Sequence, residues 1–261
     1  MPPLDSLAPG SFCWMELATV DQEAAKRFYT SLFGWSLVDT PIGEGEVYTM
    51  FKLGGREVGA AYTLNQAMRE QGVPPYWALY VSSENADDAV QASLDAGGRV
   101  VTGPFDVSDY GRMAVVQDPA GASISIWEPQ RHQGFGISGE PGTLCWADLS
   151  TPDQEAAATF YNAVFGWSFE LGQNDGGYLH IKNGDEMIGG VPSAEQRAPG
   201  APPHWLIYIL VADCDQSAAK AKELGARLYL EPMSMENVGR MAVVADPQGA
   251  VFALFQPAPR P

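Results

Sequence analysis

The sequence predicts an α+β protein made of four βαβββ modules arranged as two similar halves. Three observations carry this. Residues 9–37, PGSFCWMELATVDQEAAKRFYTSLFGWSL, and residues 141–169, PGTLCWADLSTPDQEAAATFYNAVFGWSF, agree at 17 of 29 positions with an offset of 132. Residues 111–129, GRMAVVQDPAGASISIWEP, match residues 239–257, GRMAVVADPQGAVFALFQP, with an offset of 128. Within each half, the order strand, helix, three strands is read twice. Self-similarity at a fixed period is the signature of a duplicated unit. The shrinking offset places longer hairpin loops in the first half, around Pro41–Glu46.

The elements follow in order. Phe12–Ala18 alternates apolar and polar residues as a half-buried strand does. Thr19 and Asp21 offer N-caps, and Ala24, Ala25, Phe28, Tyr29 and Leu32 then recur at helical spacing over Asp21–Leu32. Gly34 ends that helix, since glycine accepts the left-handed backbone of a C-cap. Trp35–Asp39, Val47–Leu53 and Glu57–Thr63 read as strands joined by glycine-rich turns. The plan restarts with a strand at Tyr76–Ser82 and a helix at Ala86–Ala96 stopped by Gly97 and Gly98. Strands near Arg99–Val101, Arg112–Gln117 and Ser123–Glu128 complete the half. The expected boundaries are a first domain at 8–131 (modules about 10–64 and 75–130), a linker at 132–140 and a second domain at 141–258.

The 261 residues carry 32 acidic and 15 basic side chains, a formal charge of −17. That balance excludes binding through nucleic-acid phosphates, which needs a basic face. It serves solubility, or steers a cationic ligand. No apolar run approaches the ~20 residues of a membrane span, and Met1–Gly10 shows no basic and apolar leader. Cys13, Cys145 and Cys214 have no metal-ligand spacing and read as reduced thiols of a cytoplasmic protein.

The stretch T-x-D-x-E-A-A-x-x-F-Y-x-x-x-F-G-W at Thr19–Trp35 and Thr151–Trp167, with the D-P-x-G turns Asp118–Gly121 and Asp246–Gly249, resembles the vicinal oxygen chelate superfamily. Glyoxalase I, extradiol dioxygenases and the bleomycin- and fosfomycin-resistance proteins belong to it. The resemblance covers nearly the whole chain. It implies that each pair of modules curls into a sheet around a cavity, with helices outside. It also implies a divalent metal held by His, Gln or Glu at Trp14, Ala78 and Ser125 in the first half, and at Trp146, Leu206 and Ala253 in the second. Tryptophan, alanine and leucine offer no usable lone pair, and a serine hydroxyl is a weak ligand. A two-residue slip would offer His204, Glu16 or Asp148, but no single shift assembles three ligands. No catalytic metal and no other cofactor is therefore expected; a divalent ion remains open only through misplaced ligands.

Alternation assigns other residues to the cavities. Trp14 with Glu16, and Trp146 with Asp148, form recognition pairs, unless internal arginines, Arg112 and Arg240, neutralise the acids. Tyr48, Met50 and Lys52 share a face on one third strand; Tyr178, His180 and Lys182 share it on the other. Tyr80 and Tyr208 recur on the fifth strands, where His204 also lies, and Ser125 faces the first cavity. Tyr110 is placed to cover it. Trp35, Cys13 and Cys145 read as packing residues, and Asp118 and Asp246 as turn caps.

Three functions remain. One is a binding protein for a small aromatic or hydrophobic molecule, cationic ones included, in one or both cavities. The alternative is an enzyme of the family, a lyase, isomerase or dioxygenase/hydroxylase-like catalyst acting on a small carbonyl or oxygenated substrate, with Asp148 and His180 as its catalytic pair. The third is a scaffold whose cups are filled. The partner expected is a small molecule, not nucleic acid or membrane. The chain is expected as a monomer with an internal pseudo-dimer, or as a homodimer.

Overall fold

The computed structural model describes residues 7–43, 45–172 and 176–259. Positions 1–6 of the opening stretch, and Glu44 of the loop expected to be longer, lie outside the described residues.

Local signals build the elements the sequence predicts, with the second and sixth strands longer than expected and one short helix added. The first half runs β1 (Phe12–Thr19), α1 (Gln22–Phe33), β2 (Ser36–Gly43), β3 (Glu46–Leu53), β4 (Arg56–Thr63), a short α2 (Gln66–Glu70), β5 (Tyr76–Ser82), α3 (Ala86–Asp95), β6 (Arg99–Val107), β7 (Gly111–Gln117) and β8 (Ser123–Pro129). The second half runs β9 (Leu144–Ser150), α4 (Gln154–Phe165), β10 (Ser168–Leu171), β11 (Leu179–Asn183), β12 (Glu186–Val191), β13 (His204–Leu210), α5 (Cys214–Glu223), β14 (Arg227–Met235), β15 (Gly239–Ala245) and β16 (Val251–Pro257). The Asp21 side chain caps α1 by accepting from the Ala24 amide, and Gly34 closes it at φ 71°. Asp153 and Gly166 do the same for α4.

Each half is one curled eight-stranded sheet, ordered β2-β3-β4-β1-β5-β8-β7-β6 and β10-β11-β12-β9-β13-β16-β15-β14. The two modules of a half join at an antiparallel seam, β1 on β5 and β9 on β13. The loss of four residues occurs in two steps. Glu16 pairs with Ala60 and Asp148 with Gly190, an offset of 130 (190 − 60) at β4. Ala18 pairs with Tyr76 and Ser150 with His204, so the offset reaches 128 (204 − 76) only at β5. One step therefore falls in the β2–β3 hairpin, as expected. The other falls in the β4–β5 connection, where α2 is inserted.

The helices cover the outer face of each sheet, and the halves meet through that face: α1 packs on α5, α3 on α4, and β5 on β13. One hydrophobic core spans both halves. Phe12 stands edge-on to Trp167 and Trp205, with ring centroids 5.4 and 5.7 Å apart. The two tryptophans of the repeated motif cross between halves. Trp35 Nε1 donates to the Gly142 carbonyl at 2.9 Å, and Trp167 Nε1 to the Gly10 carbonyl at 2.7 Å. The turn aspartates also do more than cap. Asp246 accepts from the Gln248 and Ala250 amides and, across the halves, from the Tyr29 hydroxyl at 3.0 Å. Asp118 accepts from the Gly121 and Ala122 amides and from the Tyr161 hydroxyl at 3.2 Å.

Candidate functional site in the two cups

The concave faces carry matching polar clusters. In the first cup the Tyr48 hydroxyl donates to Glu16 Oε1 and the Tyr80 hydroxyl to Oε2, each at 2.6 Å. Trp14 Nε1 donates to the Tyr48 oxygen at 3.3 Å. In the second cup the Tyr178 hydroxyl donates to Asp148 Oδ1 at 2.5 Å and the Tyr208 hydroxyl to Oδ2 at 2.6 Å. Trp146 Nε1 lies 3.0 Å from Asp148 Oδ1 and 2.9 Å from the Tyr178 oxygen. Alternation along β1, β3 and β5 brings these side chains to one face, as the sequence implies.

Burial dominates the electrostatics, because a carboxylate loses hydration when enclosed. It pushes the Asp148 carboxyl up to about 6, against the Tyr178, Tyr208 and Trp146 hydrogen bonds and the nearby His180. Burial likewise raises Glu16, opposed by Tyr48, Tyr80 and His132. Burial and then the Glu16 charge hold the Tyr48 and Tyr80 phenols well above their usual range, so both remain donors.

Other candidates fall in different places. His180 reaches the second cluster, its ring centroid 5.1 Å from Tyr178 and 6.4 Å from Trp146. Met50, its first-half counterpart, packs against the core. Ser125 is buried beside Tyr80, in the row Trp14, Tyr80, Ser125. His204 opens β13 opposite Ser150, and its Nδ1 lies 2.8 Å from the Pro202 carbonyl oxygen; Leu206 takes the place opposite Asp148.

The arginines correct one expectation. Arg112 pairs with Asp87 at 2.7 Å and Asp106 at 2.9 Å; Arg240 pairs with Asp215 at 2.6 Å. Asp87 and Asp215 lie in the first turns of α3 and α5. Alternation along β7 and β15 thus turns both arginines to the helical face, away from Glu16 and Asp148. Tyr110 is a second correction. It is exposed, with the Arg131 guanidinium stacked 4.2 Å above its ring.

Residues 132–140 provide the cover instead. The Phe135 amide donates to the Cys13 carbonyl at 2.8 Å, and Gly136 to the Glu57 carbonyl at 2.9 Å. Gly134, at φ 103°, has no room for a Cβ against the Cys13 backbone. The His132 ring stands edge-on to Trp14 at 4.6 Å, Phe135 lies 5.5 Å from it, and Trp127 Nε1 donates to the His132 carbonyl at 2.9 Å. Cys13, Trp14 and Trp127 are consequently buried, whereas their counterparts Cys145, Trp146 and Phe255 are partly exposed. In the second cup they join Leu206, Met235 and Val243 around buried Tyr208, Met241 and Ala253, a cluster separate from the main core. Two clefts open as well. One of about 270 Å³ runs along Met235, Arg240 and Gln256, and one of about 180 Å³ along Ile42, Val47 and Tyr62.

The residues present do not fit a divalent metal. Each carboxylate oxygen of Glu16 and Asp148 already accepts a phenol proton. Among the described residues no three His, Cys, Asp or Glu side chains converge. A divalent metal needs several such groups converging on one point.

Sequence reasoning missed the roles of the linker and of Gly190. The pair Gly189-Gly190 inside a strand signals close approach of another group, and a Cβ on Gly190 would overlap the Tyr178 phenol.

The model of the glyoxalase/bleomycin resistance protein/dioxygenase superfamily matches residues 11–126 and 143–254. The chain belongs to that superfamily. Within it, CFP32 of Mycobacterium tuberculosis, which carries the name of a glyoxylase, is 41% identical over 100% of both chains. The anthracycline biosynthesis protein DnrV of Streptomyces peucetius is 34% identical over 95% of this chain and 94% of its own. The Mn(II)-bound glyoxalase from Novosphingobium aromaticivorans superposes with a TM-score of 0.66 at 15% identity, covering 96% of this chain and 83% of its own. The 2,3-dioxygenase LapB from Pseudomonas sp. KL28 gives 0.65 at 13% identity, covering 98% and 95%. At such identity these two structures show the shared fold. Among the described residues no helix is long and apolar enough to cross a membrane.

Proposed function

We propose that this glyoxalase/dioxygenase-like protein binds a small aromatic or hydrophobic molecule in its second cup, anchored on Asp148, without a catalytic metal. The carrying observation is the contrast between the cups. Trp146 and Phe255 stand partly open beside a carboxyl held by three donors, while Trp14 and Trp127 are sealed by the linker. Apolar walls with a few convergent polar groups are what a small-molecule site needs. One lone pair on Asp148 Oδ2 remains for a ligand hydroxyl, beyond the Tyr208 bond. An anthracycline is a fused-ring aromatic compound, so the name of one relative supports an aromatic ligand.

The test is calorimetric titration of the full chain with a hydroxyanthraquinone, with metal content measured on the same sample. Saturable binding, weakened about tenfold by Asp148→Asn and blocked by Leu206→Trp, supports the reading. Absence of binding, or a stoichiometric divalent ion whose removal abolishes it, overturns it.

A second reading rests on the Asp148 carboxyl near 6 beside His180. A group poised there can take a proton from carbon next to a carbonyl. Deuterium exchange into a 2-oxo compound, abolished in Asp148→Asn, would support it; unchanged exchange in that variant would remove it.

A further inference from the structure

Glu16 is a deep carboxylate without a cation of its own. Among the described residues no lysine or arginine lies within ion-pair distance; its hydrogen-bond partners are Tyr48 and Tyr80, while His132 lies nearby and contacts Glu57 at 3.3 Å. Retaining an unpaired charge in such a place is costly, and a bound cation would offset that cost. Its cross-strand neighbours are small. Glu16 is flanked across the sheet by Ala60 and Ala78 and keeps partial contact with solvent.

One row further along, Ala18 stands between Tyr62 on β4 and Tyr76 on β5. Their hydroxyls lie 3.5 Å apart, and the Glu16 charge helps push both phenols up, after burial. Tyr62 also lines the cleft of about 180 Å³, with the exposed Glu46 on its wall. The linker closes the opposite end, at Trp14. The second half lacks this wall: register places Pro192 and His204 where the first has Tyr62 and Tyr76.

We propose that the first cup is a separate site for a small organic ammonium ion, with Glu16 as counter-charge and Tyr48, Tyr62 and Tyr76 as aromatic walls. Ring faces attract a desolvated cation, and a buried carboxylate adds the charge that selects it over a neutral molecule of equal shape. The formal charge of −17 draws such ligands to the protein.

The experiment is calorimetric titration of the full chain with choline and with its neutral isostere 3,3-dimethylbutan-1-ol. Choline should saturate one site and bind at least about tenfold more tightly than the alcohol. Glu16→Gln and Tyr62→Ala should each weaken choline by about tenfold or more. Tyr62→Phe, which keeps the ring, should retain it, and so should Asp148→Asn. Hydroxyanthraquinone binding in Glu16→Gln reports on the second cup separately, and circular dichroism confirms that each variant is folded. No saturation with choline, equal affinity for the alcohol, or a loss that follows Asp148→Asn instead of Glu16→Gln would overturn the proposal.

Discussion

The phenol of Tyr178 occupies the space where Gly190 would carry a Cβ. The first half has Ala60 at that position, beside Glu16 instead of Asp148. The two differences are linked by length. Aspartate is one methylene shorter than glutamate, so its tyrosine must lie lower over the neighbouring strand, where only glycine leaves room.

Gly190→Ala should therefore push Tyr178 off Asp148 and cost about 1–3 kcal/mol, as overpacking with a lost buried hydrogen bond does. Adding Asp148→Glu should recover part of that loss. A double-mutant cycle by urea denaturation measures the coupling, and strictly additive losses would contradict the link.

The Asp148 carboxyl sets a pH dependence. Its folded value, about 6, lies above that of an exposed aspartate. The folded state therefore holds the proton more tightly. The stabilisation is complete below about pH 4 and is lost as pH rises through about 6, a change of at most about 3 kcal/mol. Burial also raises Asp118, Asp246 and Glu16, so they act in the same direction. Asp39, Glu57, Asp87 and Asp215 are lowered by their cationic partners and act in the opposite sense at more acid pH; between about pH 5 and 7 melting midpoints should therefore fall, and the slope should be shallower in Asp148→Asn.

Tyr29 and Tyr161 tie the halves together through Asp246 and Asp118, and each oxygen also accepts an indole proton, from Trp77 and Trp205, at 3.0 Å. Tyr29→Phe leaves a buried carboxyl oxygen and an indole N–H without that partner. A loss of about 2 kcal/mol is expected, with a similar loss for Tyr161→Phe. Chemical denaturation measures both; a loss under about 0.5 kcal/mol would show that the cross-links are energetically idle.

Phe135→Ala removes a buried ring from the cover on Trp14. It should cost about 3 kcal/mol and expose Trp14. Acrylamide quenching of tryptophan fluorescence should rise in this variant, provided it is measured well below the melting midpoint.

Much of this was legible along the chain. The repeat in T-x-D-x-E-A-A, the caps at Asp21 and Gly34, and the two-residue period placing Trp14, Glu16, Tyr48 and Tyr80 on one face are local patterns. Arg112 shows where such reasoning fails. Its repeat partner Arg240 marked it as important, but its partner Asp87 lies 25 positions away on α3, across the other face of the sheet.

By itself the sequence determined the duplication, the order of strands and helices, and the placing of the acids and tyrosines on the cavity faces, because helical and strand periods depend on near neighbours. The tertiary structure alone decided that the linker covers Trp14 and leaves Trp146 partly open, that the arginines serve the helices, and that Tyr29 and Asp246 meet across 217 positions. Those contacts depend on how distant segments pack against one another, which no local period encodes.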